Sequence, residues 1–154
     1  MSAILKEAPP RMGVMREADL AEVMAIENAV YSHPWTRGNF LDSLLAGYHC
    51  RTWRAEGPLL GYFVLMVAAG EAHLLNLSVA AAAQRQGHGI ALLREIVGIA
   101  RAGSAEQVYL EVRPSNEPGK ALYRRFGFRQ IAVRPNYYPA HGGREDALVF
   151  SLPL

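Results

Sequence analysis

The apolar positions of this chain follow two rhythms, one with a period near 3.6 and one with a period of two, and their order outlines a fold. After a loose tail, residues 1–10, that ends in a Pro-Pro pair, Arg11 to Arg16 reads as a short strand. Leu20, Val23, Met24 and Val30 then gather near one face of a helix that Asp19 caps and that runs to about Val30. Ser32-His33-Pro34-Trp35 breaks the pattern, and Thr36 is the predicted N-cap of a second helix carrying Phe40, Leu41, Leu44 and Leu45. Strands are predicted at Tyr48 to Ala55, Leu60 to Ala68 and Ala72 to Val79, divided by turn signals at Glu56-Gly57-Pro58 and Gly70. Such short connections make a meander, so this half is expected to be antiparallel.

The second half changes character. Leu93, Ile96, Val97 and Ala100 stand at helical spacing, with Arg94, Glu95 and Arg101 turned away. A strand follows from Val108 to Val112, then a helix from about Glu117 to Phe126 that Gly127 closes as a left-handed cap. Two last strands are predicted near Phe128 to Tyr138 and Ala147 to Leu152. A meander joined to a βαβ unit predicts an α/β fold, one mixed, twisted sheet of six to seven strands with helices on both faces. Residues 11–154 are expected to form one domain around it.

Composition narrows the function classes more than it names one. With 154 residues, 51% of them hydrophobic, the chain can bury a core without staples. A net charge of +2 is too small to argue for nucleic acid. The single cysteine, Cys50, excludes an internal disulfide and a multi-cysteine metal site, and it reads as a small packing residue. The five histidines show no paired metal spacing. No signal-peptide pattern and no apolar run of membrane-spanning length is present, so a soluble, cytoplasmic protein is the expectation.

The stretch Gln84-Arg85-Gln86-Gly87-His88-Gly89, followed at once by a helix from Ile90, is the strongest local signal. Two glycines allow a tight turn, and the helix start behind them offers unpaired N–H groups, a natural anion site for phosphate or pyrophosphate. A dinucleotide fold would want a third glycine where Leu92 stands, and a P-loop would want Gly-Lys-Ser/Thr, which is absent. Glu111 is the next candidate. Alternation separates it and Tyr109 from Val108, Leu110 and Val112, at a strand's carboxyl end where α/β sheets bind ligands. A solvated strand terminus or a partner for Arg113 is the alternative. Tyr123 lies on the next helix, away from the Leu122 and Phe126 positions, and an aromatic at helical spacing is core more often than catalytic. Glu27, beside the apolar stripe of the first helix, either edges the core or lines a cleft.

These stretches carry a resemblance. Gln/Arg-x-x-Gly-x-Gly opening a helix, followed by NEPGKALYRRFGF over Asn116 to Phe128, resembles the GCN5-related N-acetyltransferases. His33-Pro34-Trp35-Thr36, Leu110-Glu111-Val112-Arg113 with Ser115-Asn116, Asn136-Tyr137-Tyr138-Pro139 and Gly143-Arg144-Glu145-Asp146-Ala147 narrow it to the bacterial ribosomal-protein-alanine group. The likeness spans about Gly13 to Leu154. It implies acetyl-CoA as co-substrate and the N-terminal amine of a ribosomal protein as acceptor, with no nucleic acid, membrane or metal required. It implies that the backbone of Leu77, Ser78 and Val79 holds the thioester and pantetheine. Arg85, Gln86, Gly87, His88, Gly89 and Ile90 match the pyrophosphate loop, with His88 at a variable position, and Asn116 matches a polar contact to the cofactor. Glu111 matches a general base and Tyr123 a general acid. Tyr137 and Tyr138 are placed to wall a peptide channel, although strict alternation would let only one do so. The family often has Asp-Pro after the cofactor strand where this chain has Ala80 to Ala83, which predicts a looser loop.

Physical chemistry fits these roles. A protein α-amine titrates at about 7.7 to 8.0, so a base must free it near neutrality. A backbone N–H at the end of the Leu77 to Val79 strand would stabilise the thioester oxygen as charge develops there. A tyrosine can return a proton to the departing thiolate. The same fold acting on a lysine or a small amine, or a non-catalytic acyl-CoA-binding module, are the rival readings.

Overall fold

A computed structural model describes residues 8–154; part of the predicted tail, residues 1–7, lies outside the described residues. Seven strands form one sheet: β1 (Arg11–Val14), β2 (His49–Arg54), β3 (Leu59–Ala68), β4 (Glu71–Val79), β5 (Gln107–Val112), β6 (Arg129–Ala140) and β7 (Gly143–Pro153). Their order across the sheet is β1-β2-β3-β4-β5-β7-β6. The first four strands are an antiparallel meander, β4 and β5 are parallel, and β7 lies between β5 and β6, antiparallel to both. The four helices are α1 (Leu20–Val30), α2 (Arg37–Leu45), α3 (His88–Ala102) and α4 (Glu117–Phe126).

Alternation along β3 shows how the helices divide. Tyr62 and Val64 enter a cluster with Leu20, Val23 and Phe40 of α1 and α2, whereas Phe63 and Leu65 enter one with Leu92, Leu93 and Ile96 of α3. Cys50 packs in the first of these clusters. The α2 start matches its sequence signal: Thr36 Oγ1 accepts from the Asn39 N–H at 3.1 Å, and Asn39 Oδ1 accepts from the Thr36 N–H at 2.9 Å. Asp19 differs. It ends a short 3-10 turn, and its carboxylate accepts from the Arg16 N–H and from Arg54 instead of capping α1. Leu45 also differs, 79% exposed where the helical stripe predicted burial, because α2 packs through Phe40 and Ser43. Among the described residues no helix is long and apolar enough to cross a membrane.

One irregularity positions the site. Val64 pairs with Asn76 and Leu65 with Leu74, so Leu75 bulges out of β4. The extra residue reverses which face later side chains take. Ala72 and Leu74 lie against the α3 core, and past the bulge Leu77 and Val79 still do. Asn76 and Ser78 turn to α1, where they bond Glu27 and Tyr31. Pairing of β4 with β5 runs only from Glu71–Gln107 to Leu74–Leu110. Beyond that point the two strands part.

Candidate active site

The parting leaves a wedge whose β4 side is determined by ladder geometry. The Ala80 N–H donates to the Leu60 carbonyl at 2.8 Å, so Leu60 and Ala80 are a hydrogen-bonded antiparallel pair. Such pairs alternate with non-bonded ones, and the register through Gly61–Val79, Tyr62–Ser78 and Phe63–Leu77 is unbroken. Ser78 therefore turns its main-chain groups toward β3, and Leu77 and Val79 turn theirs into the wedge. Both wedge-facing carbonyls are already taken: the Tyr31 hydroxyl donates to Leu77 O at 2.9 Å, and Gln84 Nε2 donates to Val79 O at 3.1 Å. Each carbonyl thus already accepts one protein hydrogen bond, and the edge adds two N–H donors. That is the complement of a carbonyl-bearing ligand such as an acyl thioester or a pantetheine amide.

Glu111 stands on the β5 side, one residue beyond the last β4–β5 pair. Its Oε1 lies 3.5 Å from Arg134 Nε of β6. Two tyrosines of the same strand crowd it. Between Arg134 and Tyr138, β6 carries three residues opposite the single Asp146 of β7, and Asn136 adopts a left-handed φ of 51°. Asp146 Oδ1 accepts from the Asn136 N–H at 2.9 Å, and Arg144 donates to the Asn136 and Tyr137 carbonyls at 2.8 and 3.0 Å. The distortion cancels alternation, so Tyr137 and Tyr138 share one side, their rings edge-on at 4.9 Å. Burial raises both phenols above the ordinary range, and the neighbouring Glu111 carboxylate raises them further. The expectation that alternation would send the two tyrosines to opposite sides fails at this bulge.

Tyr123 reaches the wedge from α4. It is 9% exposed, and its ring meets Phe128 and Phe150 edge-on at 5.7 and 6.4 Å. It packs more deeply than Leu122 and Phe126, which helical spacing had placed toward the core. Among the described residues its hydroxyl has no protein partner, and no fully buried polar atom there is without one. The ring is therefore packed and the hydroxyl opens onto accessible space. Burial raises this phenol, with Tyr31 and Tyr138 contributing, so it keeps its proton.

The glycine loop follows β4 and leads into α3, and its two glycines have separate causes. Gly87 takes φ +84° with open space around its α-carbon, so conformation requires it. A Cβ on Gly89 would lie 2.9 Å from Leu122 Cδ2, so this glycine lets α3 approach α4 without displacing the Leu122 side chain. Arg85 is exposed at φ 62°. Gln86 Nε2 donates to Ala82 O at 3.2 Å. His88 Nδ1 accepts from Trp53 Nε1 at 3.1 Å, which ties it to the core side as a neighbour. Ile90 lies in the first turn of α3, whose leading N–H groups have no intrahelical acceptor and no side-chain cap. Ala81–Ala83, in place of Asp-Pro, forms a 3-10 turn with Ala83 buried. Asn116 Oδ1 accepts from the Gly119 N–H at 3.0 Å and so caps α4.

Glu27 resolves toward the core. It is 1% exposed and accepts from Tyr62 OH at 2.6 Å, Trp35 N–H at 2.9 Å and Asn76 Nδ2 at 3.1 Å. Tyr31, which sequence reasoning missed, is the far end of this network.

A wedge between parallel strands, N–H donors on one side, a carboxylate on the other and a glycine turn into a helix define an acyl-transfer architecture. Residues 20–128 match the model of the Acetyltransferase (GNAT) family, and the chain belongs to that family. It is 33% identical over 140 residues to the [ribosomal protein bS18]-alanine N-acetyltransferase of Escherichia coli K12, covering 91% of this chain and 95% of that protein. The enzyme of that name from Haemophilus ducreyi is 34% identical over 139 residues, 90% and 96% of the two chains. The crystal structure of the ribosomal-protein-S18-alanine N-acetyltransferase from Escherichia coli superposes with a TM-score of 0.85 at 32% identity, over 94% of this chain and 93% of that one.

Proposed function

We propose that this chain moves the acetyl group of acetyl-CoA directly to the N-terminal amine of a ribosomal protein beginning with alanine. The observation that carries this reading is the parting of β4 and β5 after Leu74 and Leu110, with wedge-facing Leu77 and Val79 opposite Glu111. The substrate part rests on relatives of 33% and 34% identity that share this activity by name.

In this reading the Leu77 and Val79 N–H groups hold the acyl and pantetheine carbonyls, Ser78 anchors the strand to β3, and the loop from Arg85 to Ile90 takes the pyrophosphate. Asn116 orders the start of α4 beside it. Glu111, directly or through a water, removes the proton of the incoming ammonium. The amine attacks the thioester carbonyl, charge gathers on its oxygen, and a β4 N–H stabilises it. Tyr123 gives its proton to the departing thiolate as the C–S bond breaks. Holding amine and thioester in line supplies the rest of the rate.

Tyr137 and Tyr138 wall the acceptor's path. Next to Tyr138, whose ring Arg113 covers at 4.4 Å, a cavity of about 640 Å³ lies between the α1–α2 loop (Ser32, His33), the β5–α4 loop (Arg113, Ser115) and the β6–β7 hairpin (His141, Arg144). The test is acetyl transfer to an Ala-initiated basic peptide, its α-blocked form and a first-residue variant, with the acetyl group located by mass spectrometry. Transfer to the free α-amine alone, favouring Ala, is expected. Transfer to lysine or small amines would overturn the substrate, and acetyl-CoA binding without transfer would overturn the activity.

A further inference from the structure

Tyr31 has no place in the mechanism above, yet it is built into the wedge with unusual directionality. It is the C-cap residue of α1, held there by its N–H to the Glu27 carbonyl at 3.1 Å. Its hydroxyl lies 2.9 Å from both Leu77 O and Ser78 Oγ. The direction of each bond follows from counting protons. Ser78 Oγ gives its one proton to Asn76 Oδ1 at 2.8 Å, and Asn76 Nδ2 donates to Glu27 Oε1 at 3.1 Å. Ser78 can therefore only accept from Tyr31. The Tyr31 proton is left to point at Leu77 O and Ser78 Oγ together, and the whole chain of donors is oriented by the buried Glu27 carboxylate.

An open strand edge ordinarily presents carbonyls and N–H groups side by side. A carbonyl dipole on that edge would oppose the negative charge that an acyl oxygen acquires beside the neighbouring N–H. Here the Leu77 carbonyl is covered by a phenol proton and the Val79 carbonyl by an amide proton. We propose that Tyr31 is a positioning residue for acyl transfer: its hydroxyl occupies the Leu77 carbonyl and holds it, so that the open edge of β4 offers N–H donors to the acyl group. The inference rests on the reading in which that edge receives the acyl group. Burial pushes the Tyr31 phenol up to about 12, so the proton it supplies stays in place through the neutral range.

The direct test is isotope-edited infrared spectroscopy of acetyl-CoA labelled with ¹³C at the acetyl carbonyl, bound to the parent protein and to Tyr31→Phe. The thioester stretch of the parent complex should lie below that of free acetyl-CoA, and Tyr31→Phe should move it back toward the free value. With the acceptor peptide, Tyr31→Phe should lower kcat about tenfold, less than the loss of a direct oxyanion donor, while KM for acetyl-CoA stays within about threefold. If Tyr31→Phe does not fold, 3-fluorotyrosine at position 31 keeps the ring and the hydroxyl, strengthens the donor and should shift the stretch further down. An unchanged stretch in the folded variant overturns the proposal. The spectrum needs no acceptor, so parent protein that polarises the thioester but acetylates no peptide would strike the proposed function and leave Tyr31 judged by its own result.

Discussion

The two faces of the sheet are built on opposite principles. Against α3 and α4 the core is apolar from Phe63 through Leu93 and Ile96 to Val108 and Phe150. Against α1 and α2 an apolar cluster of similar kind surrounds a polar thread, Glu27, Tyr62, Asn76, Ser78 and Tyr31. A dry core needs only shape, whereas a buried carboxylate stabilises little unless every partner is present. The thread lies behind the part of the sheet where β4 and β5 separate. It lets a strand edge stay open without being loose, because side chains supply the bonds that β5 does not.

The largest expected effect lies across the wedge from that thread. Glu111→Gln should lower kcat about a hundredfold or more with little change in thermal midpoint, since Gln keeps the shape of this partly exposed side chain and gives up only a half-exposed ion pair with Arg134. Steady-state kinetics beside a melting curve checks it.

The two faces themselves are separated by a matched pair of variants. Leu93→Ala should cost about 3 kcal/mol of stability as a cavity in the dry core. Kinetics per folded molecule should stay near the parent's. Glu27→Ala should also cost about 3 kcal/mol, by stranding the donors of Tyr62, Trp35 and Asn76. It should in addition slow acetyl transfer, because Ser78 and Tyr31 lose their orientation. Denaturant melts followed by single-turnover kinetics on the folded fraction distinguish them, and equal kinetics would erase the contrast.

Alkaline titration comes next. Burial raises Tyr31 to about 12 and pushes Tyr62 and Tyr123 higher than the ordinary phenol. A phenol whose folded value is raised contributes stability that is intact below its unfolded value of about 10. That stability is lost as pH rises through the folded value. Phenolate absorbance should therefore appear late and together with unfolding, and Tyr31→Phe should flatten the loss between about pH 10 and 12.

The smallest effect concerns the hairpin. Glu145 accepts from Ser115 Oγ and N–H at 2.9 Å each, and with Arg113 these bonds hold its carboxyl below the usual range. The contribution is present above the ordinary glutamate value and is lost as pH falls through the lower folded one. Glu145→Gln should remove that acid dependence and cost about 1 kcal/mol, measured as a change in melting point with pH.

Much of this architecture was legible in the residues. Thr36 announced the start of α2, Gly127 its counterpart at the end of α4, and period-two runs placed all seven strands within a few residues. The glycine loop and Glu111 were legible because a turn chemistry and a strand parity are local properties. What was not legible came from two bulges. Nothing in the local sequence says that Leu75 adds a residue against β3, and that addition sends Asn76 and Ser78 to Glu27. The distortion at Pro135 to Tyr137 depends on Asp146 and Arg144 of another strand, so alternation mispredicted Tyr137 and Tyr138. Tyr31 escaped because its role exists only once α1 meets β4.

Amide hydrogen exchange along β4, in the free protein and with acetyl-CoA, tests the central claim most directly. The Ser78 and Asn76 amides, paired with β3, should be protected from the start. Those of Leu77 and Val79 should exchange freely and become protected only when acetyl-CoA is added. Protection of all four in the free protein, or acetyl-CoA protection that passes over Leu77 and Val79, would contradict the assignment of this edge as the acyl site.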